Sequence, residues 1–182
     1  MTVLDVGCGR AKTPGSVGID IEPHPGVDIV HDLNQFPYPF GPDEFDRIVA
    51  RHCLEHLENV VKVMDEFHRV VKARGLVEIE VPHFSSCDAY TDVTHKHFFS
   101  YHSFDYFTKE GLHGVHRYGR GSYEIASRRI HFWSLTGESR IIPHRLIGIE
   151  YLANHHPVFY EKFLAFTFPA KSLLVRLVVV KP

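Results

Sequence analysis

Residues 3–23, VLDVGCGRAKTPGSVGIDIEP, constrain the fold more than any other part of the chain. Val3-Leu4-Asp5-Val6 is a short β-rich run that stops at Gly7-Cys8-Gly9, and glycine there lets backbone approach a ligand because it carries no Cβ. A second such run, residues 16–21, begins almost at once. Between them Arg10-Ala11-Lys12 precedes Pro14 and Gly15, which forbid a long helix. A dinucleotide site would want a third glycine opening a full helix, whose N-terminus holds the pyrophosphate, and an acid about 20 residues after the motif. Asp20 arrives too early for that, so NAD and FAD fit this turn poorly.

Further β-rich runs at residues 27–30, 45–50 and 76–82 read as buried parallel strands. Before the last of them Val60, Val63, Met64, Phe67, Val70 and Val71 recur at helical spacing. Asn59 is placed to cap the start, and Lys72 and Arg74 precede a stopping Gly75. Strand, helix and strand alternate, which predicts an α/β fold: a Rossmann-like, doubly wound, mostly parallel sheet. Later, residues 103–110 suit a short helix closed by Gly111, residues 143–154 and 157–168 suit helices, and residues 122–133 and 173–180 suit strands. That last pair is expected to add a late antiparallel pair to the parallel sheet. No repeat, linker or low-complexity tract divides the chain, and 182 residues with 44% hydrophobic content suit a single domain over residues 1–182.

Twenty Lys and Arg against 22 Asp and Glu leave the chain near neutral, with no polybasic run, which argues against a nucleic-acid partner. Cys8, Cys53 and Cys87 are odd in number and unpaired in spacing, and no apolar leader precedes Val3, which points to a reducing cytoplasm. The apolar run near residues 172–180 is too short and charge-interrupted for a transmembrane segment.

Four motifs in order resemble the class I S-adenosylmethionine-dependent methyltransferases. Leu4-Asp5-Val6-Gly7-Cys8-Gly9 is similar to that family's first motif, and Gly18-Ile19-Asp20 to its second strand with the ribose-binding acid. His31-Asp32-Leu33-Asn34 resembles the adenine-holding segment. Phe45-Asp46-Arg47-Ile48 with Leu54-Glu55-His56-Leu57, followed by Glu66-Phe67-His68-Arg69-Val70-Val71-Lys72, resembles the fourth strand and next helix of a branch with a Glu-His-Leu signature. The resemblance implies S-adenosylmethionine as cofactor, held by Asp5, Gly7, Cys8, Gly9, Asp20, Ile21, Asp32 and Leu33, with Arg51 and His52 at the pocket floor. With the first crossover helix cut to a loop, Arg10 or Lys12 is expected to meet the cofactor carboxylate. Similar short crossovers occur in a subgroup linked to polysaccharide and glycan synthesis, whose post-strand motif Asp92-Val93-Thr94-His95-Lys96-His97-Phe98-Phe99 resembles. Methyl transfer to an oxygen, or a nitrogen, of a small molecule or glycan is the expected activity. A non-catalytic binding domain of the same fold and a nucleic-acid methyltransferase stand as alternatives.

Methyl transfer is an in-line displacement in which the protein mainly aligns the acceptor, and a hydroxyl acceptor also benefits from a base. Histidine suits that task near neutral pH, and 15 are present. His56, His95 and His97 are the candidate bases, and His83 with Asp92 is expected on the same side. Two imidazoles and a carboxylate are also a metal-site composition, but no compact ligand spacing closes a site and no metal is assigned. His113 and His116 read as loop residues, and Cys8 as a small filler of the turn. The aromatic clusters at residues 98–101 and 104–107 suit a lid or, more often, core. Residues 146–168 suit core or a homodimer contact.

Overall fold

The computed structural model describes residues 1–109, 117–132 and 148–181. Seven strands form one sheet in the order β3-β2-β1-β4-β5-β7-β6, with β1 at Val3–Val6, β2 at Val17–Asp20, β3 at Ile29–Val30, β4 at Phe45–Arg51, β5 at Val71–Pro82, β6 at Ser122–His131 and β7 at Ser172–Val180. The first five are mutually parallel, and β7 lies antiparallel between β5 and β6. The expected late antiparallel pair is therefore present, inserted so that β7 bridges the parallel sheet to the edge. Among the described residues no helix is long and apolar enough to cross a membrane.

Register sorts the side chains into two faces, because neighbours across the sheet share a face and alternate along each strand. Leu4, Ile48, Val77 and Leu177 align on one face, as do Val6, Ile19, Ala50, Ile79 and Val175, and all are fully buried. The helix α1, Val60–Val70, contributes Val63, Met64, Phe67 and Val70 to the same hydrophobic cluster, and Asn59 accepts the Lys62 amide at 3.0 Å as its N-cap.

The helix does not run on toward Gly75 as its sequence suggested. Its last carbonyls, of Arg69 and Val70, are taken by the amides of Asp43 and Glu44 at 3.0 and 2.8 Å, and Val71 is already extended and paired with Phe45. Two adjacent β-branched residues favour that switch. Lys72, Arg74 and Gly75 therefore belong to β5. A Cβ on Gly75 would stand 2.9 Å from the Asp46 and Lys72 carbonyl oxygens, so close approach of backbone, not helix termination, requires this glycine.

Other elements are shorter than the sequence suggested. Of the helix expected over 103–110, the described residues 103–109 show only a 3-10 turn at Asp105–Phe107, and Glu110, Gly111, His113 and His116 lie outside the described residues. The strand expected at 122–133 ends at His131, and Trp133 lies outside the described residues. The two late helices are Ile149–His155 and Pro157–Phe163. Residues 143–147 lie outside the described residues, and the second helix stops where the Leu164 and Ala165 amides share the Tyr160 carbonyl.

The opposite face of the sheet carries Asp5, Arg47, Val49, Glu78 and Arg176. Residues 7–16, between β1 and β2, contain no helix, and charged side chains occupy this face instead. Arg47 donates to Glu78 at 3.0 Å and Arg176 donates to its other oxygen at 2.7 Å, across three adjacent strands. Burial pushes the Glu78 carboxyl up, but Arg176 and Arg47 outweigh it and hold it below the ordinary glutamate value. A group with a depressed folded-state pKa stabilises the fold above its unfolded pKa and loses that contribution as pH falls through the folded value. Glu78→Gln is accordingly expected to cost about 1–2 kcal/mol in urea unfolding at pH 7, since the arginines are partly solvated. The difference from wild type should shrink as the measurement is taken below pH 4.5, where an ordinary glutamate protonates.

Candidate functional site

The carboxyl ends of β1, β2 and β4 open onto a cavity of about 290 Å³, the position at which open α/β sheets bind ligands. Its walls come from four short segments: Gly7, Asp20-Ile21, Asp32-Leu33-Asn34, and a fourth segment that contributes His52, Cys53, His56 and Leu57. Chain reversal after β1 puts Gly7 at φ +65° and Gly9 at φ +49°. A Cβ on Gly7 would lie 2.6 Å from the Cys53 sulfur, so backbone conformation and crowding both exclude a side chain there.

Three carboxylates hold the loop that replaces the crossover helix. Asp5, buried, accepts the Thr13 amide at 2.6 Å. Asp20 accepts the Gly9 amide at 2.8 Å through one oxygen and the Glu22 amide at 3.1 Å through the other. Asp28 accepts the Gly18 amide at 2.7 Å and the Lys12 ammonium at 2.8 Å, and with these partners its carboxyl sits below the ordinary aspartate value. Lys12 is thereby engaged away from the cavity, while Arg10 is exposed and lines no part of it. Cys8 is buried under the loop, its thiol pushed up by burial and by Asp5 and Asp20, and it fills space as expected of a small residue. Asp5, Cys8 and Gly9 thus shape the loop from outside the lining. Arg51 turns away from the expected pocket floor, donating to the Thr13 hydroxyl at 3.3 Å, because it alternates onto the charged face of the sheet.

Asp20 and Asp32 both face the cavity with oxygens that have capacity left, since an ionised carboxylate offers about four acceptor sites. Asp32 uses one oxygen on the Asn34 amide and side chain, at 2.9 and 3.1 Å. Asn34 in turn accepts the Glu58 amide at 2.8 Å, tying this segment to the wall that carries His56. Ile21 is 60% exposed at the rim, an apolar surface suited to a flat base. Asn34, Cys53 and Leu57 line the cavity without having been singled out as ligand contacts in the sequence. Asn34 adjoins Asp32-Leu33, a visible signal, whereas only the folded contact with Gly7 reveals Cys53.

The histidines divide sharply. His83 is wholly buried between the Ser85 hydroxyl at 2.8 Å and the Glu161 carboxylate at 3.1 Å, a structural position and not the acceptor-side one expected of it. His52 lines the cavity at φ +48°, and the neighbouring Glu55 carboxylate raises its imidazole above the ordinary value against the opposing effect of burial. His56 lines the cavity too, and its tautomer can be read from its partners. The Thr94 hydroxyl donates its one proton to Asp92 at 2.7 Å, where this bond and the Thr94 amide keep the Asp92 carboxyl below the ordinary aspartate value. The 2.8 Å contact from His56 Nδ1 to that hydroxyl is therefore an Nδ1–H donor, so that in the neutral imidazole Nε2 keeps its lone pair. His95 likewise gives its Nδ1–H to the Ala89 carbonyl at 3.0 Å, and its ring crosses that of His56 at 4.6 Å between centroids. His97 spends Nε2–H on the Leu57 carbonyl at 2.8 Å and packs beside Phe99. Neither His95 nor His97 lines the cavity itself. Phe99 and Phe104 stack in the core at 5.5 Å, so these rings form no lid, whereas Tyr90 and Phe98 stack at 4.8 Å and stand exposed.

The family model described as a methyltransferase domain matches residues 1–134. The chain belongs to the methyltransferase-domain family. S-adenosylmethionine is the cofactor of this enzyme domain, and the cavity fits it on its own chemistry: a glycine turn a Cβ would fill, one acid at the end of β2 and another two residues past β3, and an apolar rim. Over 57 residues, 31% of this chain, the sequence is 33% identical to the demethylmenaquinone methyltransferase of Lysinibacillus sphaericus (strain C3-41), and the match spans 24% of that enzyme's length. The fold is that of a solved S-adenosylmethionine-dependent methyltransferase from Archaeoglobus fulgidus, at TM-score 0.60 and 19% identity over 97% of this chain and 85% of that one. It is also that of Haemonchus contortus phosphoethanolamine N-methyltransferase 2, solved with S-adenosyl-L-methionine, at TM-score 0.56 and 14% identity over 100% of this chain and 49% of that one.

Gly7→Ala tests the turn. S-adenosylhomocysteine affinity should fall at least tenfold, about 1.4 kcal/mol, by calorimetry while the circular dichroism spectrum is kept.

Proposed function

We propose that the chain moves the methyl group of S-adenosylmethionine to a hydroxyl oxygen, or alternatively a nitrogen, of a small molecule or glycan. The observation that carries this reading is the placement of His56, which lines the cavity that Asp20 and Asp32 serve and whose Nδ1 is held by the Thr94 hydroxyl bonded to Asp92. Asp20 would hold the ribose hydroxyls and Asp32, with the Leu33 backbone, the adenine. The Gly7–Gly9 turn would admit the methionine end, with His52 beside it. S-adenosylmethionine held there would supply an electrophilic methyl group for in-line displacement by the acceptor oxygen, its sulfur keeping the electron pair of the broken carbon–sulfur bond, and His56 would take the acceptor's hydroxyl proton.

A hydroxyl acceptor is favoured because it must lose a proton as it reacts, which a fixed imidazole lone pair can receive. The exposed Tyr90–Phe98 stack flanks the segment that carries Thr94 and His95, and such a platform suits the apolar face of a sugar ring. A near-neutral surface supports a small acceptor over nucleic acid.

Calorimetric titration with S-adenosylmethionine and S-adenosylhomocysteine should give binding at micromolar level that Asp20→Ala weakens at least tenfold. In a screen of sugar and quinol hydroxyl acceptors, His56→Ala should lower kcat by about 10²- to 10⁴-fold with cofactor affinity retained. A folded wild-type protein that binds neither cofactor form would instead support the non-catalytic reading.

A further inference from the structure

We propose that Glu55, His56 and His95 form a binding site for a divalent transition-metal ion beside the cofactor cavity. Glu55 is the least explained group in the described structure. Its side chain is 1% exposed, and neither carboxylate oxygen has a hydrogen-bond partner among the described residues. The nearest basic atom recorded is His52 Nδ1, 3.5 Å away on a half-exposed side chain. A buried carboxylate without donors is costly, and proteins resolve that cost by pairing the charge or by coordinating a metal.

Two further ligands are already prepared. His56 and His95 each commit Nδ1–H elsewhere, to the Thr94 hydroxyl and the Ala89 carbonyl, so each offers a lone pair at Nε2. Fixing one ring nitrogen by a hydrogen bond so that the other points at a metal is how ligating histidines are usually oriented. One ligand atom from each of Glu55, His56 and His95 lies within 4.8 Å of the other two. Bonds of about 2.1 Å to one ion would draw the three together by small ring and carboxylate rotations.

The backbone joins the two segments independently of the side chains. The Lys96 and His97 amides both donate to the Glu55 carbonyl, at 2.7 and 3.3 Å, and Lys96 also pairs with Glu58. Residues 54–58 and 92–97 are thereby fixed against each other before any ion arrives. Two imidazoles with one carboxylate suit zinc, manganese or iron better than calcium or magnesium, which prefer oxygen alone, and three protein ligands leave positions open for water or substrate oxygen.

The binding of the ion stands apart from the proposed reaction, but its use rests on that reading. An ion here would take the acceptor hydroxyl as a further ligand and lower its pKa. His56 would then act as a ligand, and the proton would leave to solvent. This makes two of the candidate bases, His56 and His95, into candidate ligands and adds Glu55, which has no place in the base reading.

The test titrates chelator-treated protein with MnCl₂ and ZnCl₂ by calorimetry, follows Mn²⁺ by electron paramagnetic resonance, and uses MgCl₂ for comparison. One Mn²⁺ or Zn²⁺ per chain is expected, bound at least tenfold more weakly by Glu55→Gln and by His95→Ala, with His97→Ala unchanged. His95 lies in a partly solvated loop, so His95→Ala keeps the test valid if Glu55→Gln fails to fold. Absence of binding by the wild type, or equal affinity in both variants, overturns the site. S-adenosylhomocysteine titrated into the same samples separates the two readings: cofactor binding without ion binding removes only the metal site, and ion binding without cofactor binding removes only the methyl-transfer reading.

Discussion

The fold depends on what holds residues 7–16 in place of a helix. In most parallel sheets a crossover helix covers the strands and points its first amides at the ligand. Here the amides of Gly9, Thr13 and Gly18 are each taken by an aspartate carboxylate, from Asp20, Asp5 and Asp28. Each such bond joins a charged acceptor to a backbone donor and is stronger than a neutral one. Asp20 therefore has two tasks, fixing the turn and facing the cavity, and its position at the end of β2 serves both.

Losing the helix changes the sheet as well as the loop. A second apolar face would stand uncovered in water, and the sequence avoids this by placing Arg47, Glu78 and Arg176 across β4, β5 and β7. The arginine stems cover the sheet while their heads remain partly solvated. The short crossover and the charged ladder lie on the same sheet although they are far apart in sequence.

Much of this was legible before any coordinates. The order of β-rich runs, the Asn59 cap and the acid ending β2 lie close together in the chain and follow local rules, so Asp20 and the start of α1 stand where expected, while Asp32 lies two residues past the end of β3. Failures occurred where distant partners decide the outcome. The end of α1 depends on Asp43 and Glu44, Arg51 on which face of β4 it occupies, and His83 on a glutamate 78 residues later. Thr94 escaped notice because a lone threonine carries no signal until it is seen between His56 and Asp92. Glu55 was visible only as part of a signature, since no pattern of spacing tells that a carboxylate will be buried without donors.

The position of β7 bears on the order in which the described sheet is assembled during synthesis. Among the described strands β6 has β7 as its one sheet neighbour, and β7 follows it by forty residues in the chain while separating it from β5 in space. As the chain emerges from a ribosome, β1 to β5 can assemble in order, but β6 must wait as an unpaired strand until its neighbour appears. Among the described strands, the gap between β5 and β6 is thus filled by a strand made after both of them, and the flank of β5 that β7 covers stays open to other chains until then.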